Sequence, residues 1–214
     1  MHYTESDIKG ISRIKRLNLL NSVTGIKPAN LVGTVSEDNK TNLAIISSVV
    51  HLGSNPAMIG FILRPQKDRK TDTYRNINDN GYFTINNIHS ELIEKAHYTS
   101  VKFSEEESEF QTLDIKEEFL DSFPAPFVKE SKIKIGLKTE DMMILPNNCI
   151  FVVGSVKHLI IPEEVIDENG SLNFQNFDGV GISGLDSYYA LKQIAKFPYA
   201  RKENIPEHLT DFKV

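Results

Sequence analysis

With one cysteine in 214 residues, Cys149, the chain can form no intramolecular disulfide, and its stability must come from a core. Cys149 stands in the apolar run Cys149-Ile150-Phe151-Val152-Val153. A buried structural thiol is expected there, because a reactive thiolate needs an electropositive, partly exposed setting. No apolar stretch reaches the ~18 residues that a spanning helix requires. The opening residues, MHYTESDIKG, are polar, with no apolar segment behind a basic start. The expectation is a cytoplasmic protein in a reducing compartment. An excess of charge is missing too: Lys+Arg 24 against Asp+Glu 29 leaves a net −5. That balance carries no footprint for nucleic acid or an anionic membrane.

Several catalytic signatures are also missing. There is no G-x-S-x-G elbow for a serine hydrolase and no P-loop. The six histidines, at 2, 51, 89, 97, 158 and 208, show neither H-x-x-x-H nor H-E-x-x-H spacing. A zinc site needs three or four ligands about one point, so no metal is expected. Gly179-Val180-Gly181-Ile182-Ser183-Gly184 matches G-x-G-x-x-G literally, yet half-polar residues precede it and only 30 residues follow it. A dinucleotide fingerprint needs a buried strand before it and a βαβ unit around it, so the match reads as a glycine-rich turn into a helix.

What is present is an ordinary globular composition, 40% hydrophobic and 25% charged, read as one domain over 1–214. Ile8, Ile11, Ile14 and Leu17 recur at helical spacing over 5–22, predicting a packed amphipathic helix that Gly25 and Pro28 end. Strands are predicted over 29–35, 42–50 and 57–63, joined by turns at 36–40 and 53–56. Residues 73–78 predict a helical turn, 82–86 a strand and 89–97 a short helix. The acidic stretch 103–121 predicts helical pieces on the surface. Residues 133–144 and 149–161 read as strands parted by Pro146-Asn147-Asn148, and 185–197 as a helix that Pro198 stops. Short strands, tight turns and a few edge helices argue for an α+β, mainly β fold centred on a barrel.

Residues 41–56, Thr41-Asn42-Leu43-Ala44-Ile45-Ile46-Ser47-Ser48-Val49-Val50-His51-Leu52-Gly53-Ser54-Asn55-Pro56, hold the informative block. Two adjacent hydroxyls at the end of an apolar strand need partners. Ser47 and Ser48 could offer hydroxyls and backbone N–H groups to a phosphate. Arg64, Arg69 and Lys70, with Thr71 and Thr73, follow closely and supply the cations a phosphomonoester favours. A solvated hairpin tip with a charged loop is the other reading, and both stay open.

Asn42, then Ser47, then Ser54-Asn55-Pro56 resembles the flavin reductase-like family. Thr71-Asp72-Thr73-Tyr74-Arg75-Asn76-Ile77 and the Gly81-Tyr82-Phe83-Thr84-Ile85-Asn86 strand resemble it too. So do His97 to Ser100 with Ser108-Glu109-Phe110, Ala125-Pro126 with Glu130, and Gly154. The likeness spans roughly 25–160, and the family's second proline after Asn55-Pro56 is replaced by Ala57. The resemblance implies an FMN-binding split β-barrel with peripheral helices, holding FMN noncovalently as a homodimer. It places Asn42, Ala44, Ile46, Ser47, Ser48 and Val49 along the flavin, with backbone N–H groups of 42–50 at its pyrimidine edge. Ser47, Ser48, Arg64, Arg69, Lys70 and Thr71 fall near the phosphate. His97 is a contact to flavin or nicotinamide on one reading and a structural histidine on another. The implied activity is an NAD(P)H-dependent flavin reductase, with NADH or NADPH as donor and a monooxygenase or electron-transfer partner downstream. No side chain is named as general acid or base, since the flavin carries the hard chemistry. The alternatives are a flavoredoxin-like FMN electron carrier and a binding module without flavin.

Overall fold

The computed structural model describes residues 1–67, 70–104, 106–174 and 176–209. Two helices open the chain, α1 (Glu5–Gly10) and α2 (Arg13–Ser22). Strands β1 (Lys27–Pro28), β2 (Asn30–Val35), β3 (Thr41–Ile46), β4 (Val50–Ser54) and β5 (Ala57–Leu63) follow. Next come α3 (Asp72–Asn80), β6 (Tyr82–Asn87), α4 (Ile93–Tyr98) and α5 (Glu109–Thr112). Last are β7 (Glu117–Glu118), β8 (Phe127–Val128), β9 (Lys134–Ile144), β10 (Ile150–Ile160), β11 (Val180–Ser183) and β12 (Ser187–Ala190).

Seven strands form one antiparallel sheet in the order β3-β2-β6-β9-β10-β5-β4, beside a small β1-β11-β12 sheet and a β7-β8 pair. This order decides the shape. β3 and β4 are the two edges of the seven-stranded sheet, yet only residues 47–49 lie between them. Laid flat, the edges would be about 29 Å apart at ~4.8 Å per strand spacing. Three residues span at most ~14 Å from one strand end to the next. The sheet must therefore curl until its edges approach, as the mainly β split-barrel reading requires. No ladder joins β3 to β4 among the described residues, so the edges meet at a seam.

Alternation along the strands fills both faces of this curled sheet. Val32, Phe61, Phe83, Ile85, Leu137 and Val152 pack with Ile77 of α3 on one side. Leu31 and Leu43 pack with Leu92, Ala96, Phe110, Val180 and Ile182 on the other. β2 is buried along its whole length, and its two polar residues, Asn30 and Thr34, are buried with it. α3 is longer than the turn expected over 73–78 and ends on Gly81 at φ +76°, in the left-handed region that glycine adopts without strain.

Five expectations change. The predicted 5–22 helix is two helices: Ser12 caps α2 through Lys15 N–H, and no side chain of either helix is buried. Residues 42–50 are not one strand, because 47–49 leave β3 to cross the seam. The 185–197 helix is absent. Instead Gly184 turns the chain so that Tyr188 and Tyr189 pair with Ile182 and Gly181. A hydrogen-bonding edge on β11 and the β-propensity of adjacent tyrosines outweigh the helical spacing. The same pairing removes the helix expected after Gly179–Gly184, whose glycines sit in or beside β11. Cys149 is half-buried on a turn, with its N–H donated to Asn147 Oδ1 at 3.0 Å. Among the described residues of 103–121 only α5 is α-helical, and Phe110 and Ile115 there are core residues.

Candidate functional site

The seam gathers the sequence block singled out above. Ser48 Oγ accepts from Ile62 N–H at 3.0 Å and donates to Ile62 C=O at 3.2 Å, fixing the crossing segment to β5. Arg64 follows two residues on, exposed. Gln66 folds the next loop back: its amide donates to Arg64 C=O at 2.7 Å, and its Oε1 accepts from Thr71 N–H at 2.7 Å. Thr71 then caps α3, accepting from Tyr74 N–H, and Lys70 lies 5.5 Å over the Tyr74 ring. Ser47, Ser48, Val49, Arg64, Lys70 and Thr71 are thus parts of two connected turns. Arg69 lies outside the described residues.

β3 supplies the wall. Asn42 is buried, with Nδ2 donated to Thr34 Oγ1 at 3.0 Å and Thr73 Oγ1 at 3.1 Å. Asn76 Nδ2 donates to the same Thr34 oxygen at 3.1 Å. This cluster ties α3 to β2 and β3, so Asn42 aims the strand from within the fold. Thr73, too, is a buried member of the network. Ala44 is half-buried one step along the same face, and Ile46 and Val49 pack on the sheet core beside Tyr74.

The outward N–H groups of β3 are already engaged. Leu43 N–H donates to Glu109 Oε2 at 2.9 Å and Ile45 N–H to Thr99 Oγ1 at 2.9 Å. Burial pushes the Glu109 carboxyl up from the usual range, the Asp72 charge adds to this, and the Leu43 bond opposes it. By contrast the backbone N–H groups of Ser47, Ser48 and Val49 have no protein acceptor among the described residues. All three residues are half-buried, and Ser48 ties them to Ile62, two residues before Arg64.

His97 stands on α4 against Tyr188 of β12. Its Nδ1 lies 3.1 Å from Tyr188 Oη, and its ring stacks edge-on with Tyr98 and Tyr188. Burial, then the charge of Asp186, pushes the Tyr188 hydroxyl up to about 12, so it stays protonated at neutral pH. Glu109 and Thr99, which hold β3, are separated from it by 66 and 54 residues. Both fall inside the stretches that carried the family resemblance, the only signal that could have found them.

Residues 26–180 match the flavin reductase like domain. The chain belongs to the flavin reductase-like family. A protein described as a flavin reductase with a split-barrel domain, from Shewanella frigidimarina NCIMB 400, is 38% identical with TM-score 0.89, covering 94% of this chain and all of that one. Nitrilotriacetate monooxygenase component B from Bacillus cereus shares the fold at 17% identity, with TM-score 0.82 over 92% of this chain and 98% of its own. Flavoredoxin of Desulfovibrio vulgaris (Miyazaki F) does so at 24%, with TM-score 0.71 over 82% and 92%. This member of the family has no group of three or more His, Cys, Asp or Glu placed to hold a metal, and no helix long and apolar enough to cross a membrane, among the described residues.

Proposed function

We propose that this flavin reductase-like protein binds FMN noncovalently at the seam and passes hydride equivalents to it from NADH or NADPH. A homodimer that serves a monooxygenase or another electron acceptor completes the reading. One observation supports it: the N–H groups of Ser47, Ser48 and Val49 have no protein acceptor among the described residues, and Ser48 is bonded to Ile62, two residues before Arg64. Peptide donors and cations brought together suit a phosphate monoester. The flavin, when bound, supplies the electron sink for the hydride. The chain's own part is to bind and orient. Ser47–Val49 N–H and Arg64 hold the phosphate, Ala44 leaves room for a flat ring against β3, and Asn42 fixes that strand from behind. Holding two reactants face to face accounts for the rate without an acid or base in the protein.

Arg64→Ala and Lys70→Ala should each weaken FMN more than riboflavin, which lacks the phosphate, by about 1.5–3 kcal/mol per charged hydrogen bond lost. Equal weakening of both ligands would move the phosphate away from this turn. In anaerobic solution, NADH or NADPH alone should bleach the bound flavin. Bound FMN that neither nucleotide bleaches identifies an electron carrier, and protein that takes up no FMN overturns the flavin reading altogether.

A further inference from the structure

We propose that the C-terminal arm, residues 191–209, packs on the apolar face of α2 in a second copy of the chain, each copy giving its arm to the other. The proposal deepens the homodimer of the reading above and does not depend on flavin.

The arm leaves its own fold almost untouched. From Lys192 to Ala200 no backbone N–H donates a hydrogen bond among the described residues. Ile194 is 95% exposed, and Phe197 and Tyr199 are 83% exposed. Three large apolar side chains within six residues, on backbone whose N–H groups lack acceptors among the described residues, gain little inside one copy to offset the entropy lost on ordering them. A contiguous exposed patch of this kind marks a contact surface.

A matching surface lies on α2. Ile14, Leu17 and Leu20 stand on its outer side, Val23 follows at 70% exposed, and no residue of the helix is buried. A shallow groove open to solvent lies along this face, lined by Ser12, Ile14, Lys15, Asn18, Leu19 and Ser22. The two surfaces are continuous, because Ile26 and Leu191 both lie over Gly181. Within one copy, Lys196 of the arm pairs with Asp167. A surface that carries both a projecting apolar arm and an apolar groove is self-complementary, which a two-fold axis satisfies twice. With 150–250 Å² for each aromatic plus the aliphatic side chains, the exchange buries roughly 800 Å² per copy, what a stable interface needs. Basic residues flank both parts, so apolar burial holds the contact, and salt tightens it by screening the repulsion.

Sedimentation of the full chain tests this. The parent should be a dimer at micromolar concentration, while Phe197→Asp and Leu17→Asp should each weaken it at least tenfold. Phe197 and Leu17 lie outside the buried core of a single copy, so an unchanged circular dichroism spectrum is expected. Dimers as tight as the parent's overturn the arm exchange and leave the homodimer standing, whereas a monomeric parent overturns both. In a Cys149→Ser background, chains carrying Leu17→Cys mixed with chains carrying Phe197→Cys should give a disulfide-linked pair. A double variant that closes the bond within one chain overturns the exchange. FMN uptake, read separately, bears on the flavin reading alone.

Discussion

Glu109 shows how much one side chain can hold. Its carboxylate is the acceptor for Leu43 N–H on the edge of β3, and it is half-removed from water. Glu109→Ala leaves that N–H without a partner and should cost about 1–3 kcal/mol in urea unfolding. Glu109→Gln keeps an acceptor oxygen and should cost less. The pH dependence has a definite sign. The folded carboxyl titrates above its ordinary value of 4.5, so its contribution is most favourable below that value and is lost as pH rises through the raised one. Between about pH 4 and pH 7, Glu109→Gln should therefore gain stability relative to the parent; a parallel pair of curves would place the charge in water. The cluster around Thr34 makes a second case. Asn76→Ala removes one of the two amides bound to Thr34 Oγ1 and should destabilise by about 1–3 kcal/mol, read in the same denaturation.

Among the elements, the strands were legible in the sequence wherever both of their neighbours were strands. β5, β6, β9 and β10 were visible as β-branched runs between turn residues, and all four are interior to the sheet. Asn42, Ser48 and Thr71 stood out in the sequence, although their partners were not visible: Thr34, Ile62 and Gln66 carry no chemical signal of their own. The β12 hairpin was missed because local spacing favoured a helix, while the open edge of β11, which decides the matter, is a fact of tertiary structure. The 47–49 break was hidden because a seam has no residue signature; it follows only from sheet order. Glycines give an element-level test. A Cβ on Gly33 would strike the Pro126 carbonyl and Thr84 Oγ1, whereas one on Gly10 meets nothing within 4 Å. Gly33→Ala should cost about 1–3 kcal/mol or more, and Gly10→Ala should stay within ~0.5 kcal/mol by thermal denaturation.

For the whole molecule, the curled sheet is zipped everywhere but at one seam. Ladders join six strand pairs, but among the described residues none joins β3 to β4; residues 47–49 cross between them, held to β5 by two hydrogen bonds of Ser48 to Ile62. Ser48→Ala strands both polar groups of Ile62 and should cost about 1–3 kcal/mol. The seam also sets how the protein breathes. No ladder covers Ile62 on that side, where Ser48 Oγ alone accepts its N–H, so the Ile62 amide should exchange with deuterium sooner than that of Val152 in the interior. A molecule that grips 47–49 and the Arg64–Thr71 turn at once spans the gap like a clasp. By mass action it would suppress this opening by RT ln(1 + [L]/Kd), and slower exchange at Ile62 on adding FMN would read cofactor occupancy directly as closure of the sheet.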